Sequence, residues 1–112
     1  MLTSGDVVYL DLGLPVGREA GFRHPAVVVT NQATLSVTPN VIQVVPMTST
    51  IRRDETEVVV EPDASNGLSA TSAAQCHQVR SVGTVRITEV IGNVGPMSLA
   101  RIRETLGVLL DI

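Results

Sequence analysis

Two stretches of this chain gather side chains that can handle a phosphate. In residues 17–31, GREAGFRHPAVVVTN, a charged loop with two glycines runs into Pro25 and an unbroken apolar run, with Arg23 and His24 at its mouth. In residues 46–49, PMTS, Thr48 and Ser49 follow a valine-rich run. Side chains on a loop held by a rigid scaffold are where chemistry tends to sit. An imidazole serves as base or acid near neutral pH. A guanidinium is a fixed cation for phosphate oxygens. A threonine hydroxyl can hydrogen-bond the same phosphate or relay a proton. Metal-free RNA cleavage needs these parts. A ribose 2′-hydroxyl loses a proton and attacks its own phosphate, the leaving 5′-oxygen gains one, and the charged phosphorane between them is stabilised. Arg23, His24 and Thr48 are the expected catalytic set. From spacing alone, Arg23 and His24 read equally well as incidental charges on a surface loop.

Other chemistries have weaker support. The candidate metal ligands are His24, Cys76 and His77. On an extended strand Cys76 and His77 would point to opposite faces. There is no CxxC, HExxH or Asp-rich calcium loop, and no glycine-rich phosphate loop, so no metal or cofactor is expected. Cys76 reads as a small core residue. His77 reads as a strand residue with a satisfied hydrogen bond.

The elements that must position these groups follow from the rest of the chain. Its 112 residues favour one domain, over residues 1–112. One cysteine permits no internal disulfide, which suits a reducing compartment, expected to be the cytoplasm. No signal peptide or membrane-span pattern is visible. Valine abounds, aromatics number two, and all eight basic residues are arginine. The net charge of −3 argues against a generic nucleic-acid binder. It is unevenly spread: residues 1–53 hold four Arg against three acids, residues 54–112 four against eight. A small RNA groove on an acidic body fits that split.

Short apolar runs bounded by turn residues predict strands over residues 5–12, 25–30, 41–45, 57–61, 72–82 and 90–94. Pro46 is expected to stop the third. Residues 31–40 read as a loop or one irregular helical turn, and residues 84–89 as a brief connection. Leu99, Ile102, Leu106, Leu109 and Leu110 recur at helical period after Gly95-Pro96, which predicts a C-terminal helix with one core-facing stripe. The whole is mainly β (α+β), a small curved sheet or barrel covered by one helix.

The pieces GDVVYLDLG, GREAGFRHPAVVVTN, VVPMTS, QCHQVRSV and RITEVIGNVG, in this order, resemble the MazF/PemK toxins of bacterial toxin–antitoxin systems. That resemblance implies an SH3-like β-barrel with a C-terminal helix, acting as a homodimer. It implies a metal-independent, sequence-selective endoribonuclease that cuts single-stranded RNA, chiefly mRNA, leaving 2′,3′-cyclic phosphate and 5′-hydroxyl ends. A cognate MazE-like antitoxin would occupy the RNA groove. The family's key pair is a basic residue just before the Pro that opens the second strand and the Thr of the P-x-T-S segment. Thr48 matches the second. His24 stands where the family usually has Arg, and Arg23 lies one residue earlier. Either His24 replaces that Arg, or Arg23 reaches in with His24 auxiliary; a shared site with Arg23 as clamp, His24 as acid/base and Thr48 as phosphate contact is favoured. Glu19, Ser49, Arg52, Arg53 and Gln78 are the expected RNA-binding residues. Two alternatives are a CcdB-like poison of DNA gyrase without nuclease activity and a plain SH3-like binding module. The second usually needs an aromatic groove, which Tyr9 and Phe22 alone supply poorly.

Overall fold

The computed structural model describes residues 1–112. Seven antiparallel strands form one curled sheet: β1 (Asp6–Asp11), β2 (Arg23–Val28), β3 (Val41–Thr48), β4 (Glu57–Val60), β5 (Ser72–Gln75), β6 (Arg80–Gly83) and β7 (Ile87–Asn93). A one-turn helix α1 (Gln32–Leu35) joins β2 to β3, and α2 (Gly95–Leu110) closes the chain. Along the sheet the order is β4-β5-β3-β2-β1-β7, with β6 also on β3. This is the mainly β fold with a C-terminal helix that the sequence predicts.

The three central strands are apolar on both faces, as their unbroken runs foretell. Val7, Val27, Val45 and Met47 pack with Leu99, Ile102 and Leu106 of α2. Val8, Ala26, Val28, Ile42 and Val44 pack with Leu10 and Leu35 on the other side. The buried part of the helical stripe is shorter than expected: Leu109 and Leu110 are exposed.

Four boundaries differ from expectation, each for a physical reason. First, β3 runs through Pro46 to Thr48. Its partner changes there: Val44 pairs with Arg80 of β6, and Met47 with Ala74 of β5. No ladder bond is due between those points on that side, so a residue without an N–H is tolerated. Second, the run at 72–82 is two strands. Between the same two pairs the partner chain advances six residues against three on β3, and a 3₁₀ turn at Cys76–Gln78 takes up the excess. This turn buries Cys76 and exposes His77 without needing a strand's alternation. Third, β2 starts at Arg23, because Leu12 and Phe22 extend the β1–β2 pairing into the loop. Fourth, β7 starts at Ile87 after a 3₁₀ turn at Thr84–Arg86. It is an edge strand whose Thr88 and Glu89 face solvent, so its first half carries no apolar signal.

The end strands β4 and β7 do not pair, and the turn after β4 bridges them instead. Asn93 donates its N–H to the Ser65 carbonyl at 2.9 Å. Asn66 is fully buried and holds the turn, donating to the Glu61 carbonyl at 2.8 Å and accepting from the N–H groups of Asp63 and Leu68. Gly92 makes the approach possible: a Cβ there would lie 2.5 Å from the Ser65 carbonyl oxygen.

Candidate active site

The β2–β3 register places the two expected reactive groups together. Ala26 pairs with Pro46. Continuing two residues brings His24 opposite Thr48 on the same face, since alternate residues share a face. Both line a cleft of about 300 Å³, with Tyr9, Pro25, Met47 and Ser49. Its far wall is Leu68, Ser69, Ala70 and Ser72, from the segment that follows the β4–β7 bridge.

His24 is half-buried, and its Nε2 is buried without a hydrogen-bond partner. Desolvation lowers its pKa, because a low dielectric disfavours the imidazolium; a smaller influence from the Met47 main chain opposes this. The ring is therefore neutral at pH 7. A buried polar atom lacking a partner costs free energy and marks a place where a ligand hydroxyl would be welcome. Thr48 Oγ1 accepts the Thr50 N–H at 3.1 Å, which fixes the hydroxyl at the end of β3.

Arg23 is not in the cleft wall. Strand alternation sends it to the opposite face from His24. Its guanidinium carbon sits 4.2 Å from the Tyr9 ring centroid, and Nη2 donates to Glu89 at 3.1 Å. Tyr9 itself lines the cleft, so Arg23 stands one ring away from it. The other expected contacts are dispersed. Ser49 is in the cleft. Arg52 and Arg53 are exposed on the following loop, both main-chain N–H groups held by Glu57 Oε1 and neither side chain in an ion pair. Glu19 and Gln78 line a separate hollow with His77 and Arg80. Gln78 is spent on the β1–β2 loop, accepting from the Ala20 N–H at 2.6 Å and donating to the Arg18 carbonyl at 3.3 Å.

Over residues 3–110 the chain matches the family described as PemK-like, MazF-like toxin of type II toxin-antitoxin system. It belongs to that family. Among its relatives is the endoribonuclease MazF9 of Mycobacterium tuberculosis, 36% identical over 100% of this chain and 98% of that protein. A crystal structure of MazF from Deinococcus radiodurans superposes with a TM-score of 0.79 at 30% identity, covering 97% of this chain and 96% of that one. A crystal structure of MazE-MazF from the same organism gives 0.74 at 28% identity, covering 97% and 95%.

Within this PemK/MazF-like toxin, sequence reasoning overlooked Tyr9, Glu89 and the cleft wall at residues 68–72. The first had a signal, an aromatic in a strand two residues from Val7 on one face. The wall had none, because small polar residues after a turn look like any loop. His77 has the satisfied hydrogen bond expected of it, its Nδ1 lying 2.9 Å from Thr56 Oγ1, which donates to Asp54, but it sits in the 3₁₀ turn rather than on a strand. Hydrogen bonds from the Thr56 side chain and main chain hold the Asp54 carboxyl below its usual range. Cys76 is buried, and desolvation pushes its thiol up to about 11, so it carries no thiolate at neutral pH.

Proposed function

We propose that the chain is a ribonuclease toxin that cuts single-stranded RNA in the His24–Thr48 cleft without a metal. The observation that carries the reading is the sharing of one cleft by His24, half-buried and without a partner for its Nε2, and Thr48, whose hydroxyl is fixed by the Thr50 N–H. In this reading neutral His24 takes the proton from the ribose 2′-hydroxyl. That oxygen attacks the phosphorus, the bond to the 5′-oxygen breaks as that oxygen takes a proton from solvent water, and the products carry a 2′,3′-cyclic phosphate and a 5′-hydroxyl; His24 then returns its proton to solvent. Thr48 hydrogen-bonds a non-bridging oxygen, where charge builds in the transition state. Ser49 lies beside it, and Arg52 and Arg53 offer unpaired cations to the flanking strand. The chain acts as a homodimer in the cytoplasm, and a MazE-like antitoxin silences it by covering the cleft. The Deinococcus MazE-MazF structure and the MazF9 name support this reading. No helix is long and apolar enough to cross a membrane.

The test is incubation of the purified protein with a long, defined single-stranded RNA, mapping cut sites and end groups with and without excess EDTA. Defined cuts with cyclic-phosphate ends, unaffected by EDTA, are expected. Intact RNA, or cutting abolished by the chelator, would overturn the reading.

His24 gives a second prediction. The base form is the neutral ring, and burial lowers the ring's pKa from 6.5. The rate should therefore rise with pH through a limb centred below about 6.5 and then level off. His24→Gln should be slow and lose that limb. A variant that keeps the limb would move the proton transfer to another group.

A further inference from the structure

Beside the cleft, three side chains from adjacent strands form a layered surface that proton transfer does not use. Tyr9 on β1 pairs with Pro25 on one side and Glu89 of β7 on the other. The Arg23 guanidinium lies over the Tyr9 ring at 4.2 Å, and Glu89 holds it by one edge at 3.1 Å. This is the only ion pair in the chain, and both side chains keep 56% of their surface exposed. A pair so exposed adds little to stability. It does hold the guanidinium over the ring and against the carboxylate, with more than half of the Arg23 side chain left exposed. Unstacked bases of single-stranded RNA stack on such guanidinium planes and on aromatic rings.

We propose that Tyr9, Arg23 and Glu89 form a stacking platform for one base of the bound RNA, a nucleotide flanking the scissile phosphate, with purines preferred for their larger face. This rests on the cleavage reading for which phosphate is cut, though not for the stacking itself. Because Tyr9 belongs both to the cleft wall and to the platform, the base is held next to the reacting phosphate. The ion pair is internally neutral. Arg23 therefore acts through its plane rather than as the phosphate clamp expected from sequence, and Glu89 is a positioning residue that keeps the plane level.

The test measures the binding of a single-stranded RNA made uncleavable by 2′-deoxy substitution, with an abasic nucleotide moved through every position in turn. Wild-type protein should lose roughly tenfold or more in affinity at one position, the size expected for one stacked base. The same abasic change should cost Arg23→Lys, which keeps the charge without the plane, less than about twofold. The neutral double variant Arg23→Gln/Glu89→Gln should bind more weakly with an unchanged salt dependence. A phosphate clamp would instead lower the log–log salt slope by about one. Equal losses in wild type and Arg23→Lys at every position, a reduced slope, or no RNA binding at all would overturn the platform. Binding with the expected coupling, but no cutting of the all-ribose strand, would sink the cleavage reading alone.

Discussion

Replacing Thr48 by alanine should leave the protein folded and slow RNA cleavage by at least about 100-fold. The structural cost is small because Thr48 is the last residue of β3 and only half-buried. Its hydroxyl makes one internal hydrogen bond, from the Thr50 N–H, worth on the order of 1 kcal/mol. The catalytic cost is larger because a positioned donor acts where charge develops; removing one such donor typically costs 10²–10³ in rate. Thr48→Ser keeps the oxygen and should recover most of the activity. Single-turnover cleavage of a mapped RNA, with thermal melting as the fold control, reads both effects. A stable Thr48→Ala protein that cuts at the normal rate would remove this hydroxyl from the reaction.

Much of this arrangement was legible in the residues because the physical rules that set it are local. Unbroken valine runs demand burial on both faces, and β1, β2 and β3 supply the middle of the sheet. Successive strand residues face opposite ways, a rule that weighs against the shared Arg23–His24 site favoured from the sequence. The structure resolves the pair by face: His24 beside Thr48, Arg23 on the Tyr9 ring. What was not legible depends on register between distant strands. The jog at Cys76–Gln78 exists only because β5 and β6 share one edge of β3. Glu89 meets Arg23 across 66 residues, and no local pattern encodes that meeting. Gln78 is among the expected RNA-binding residues, and its amide also holds the β1–β2 loop, a role visible only once the loop has a place.

Changing Gly92 to alanine should destabilise the protein by roughly 3 kcal/mol, lowering its melting temperature by about 10–20 °C. The added Cβ would meet the Ser65 carbonyl oxygen and the Asn66 carbonyl carbon at 2.5 Å. Those are main-chain atoms of a turn locked by a fully buried asparagine, so they have little room to yield. The turn must lift away, and with it goes the Asn93–Ser65 bond that ties β7 to the other end of the sheet. The cost exceeds that of an ordinary crowded side chain because two parts fail together. Beyond the turn the chain forms the cleft wall at residues 68–72, and β7 carries Glu89. A reversible melt of the variant within a degree or two of wild type would mean that the bridge does not hold the sheet closed. A large drop, with residual activity falling faster than the folded fraction, would show that the same bridge that closes the fold also sets the width of the cleft between Thr48 and its far wall.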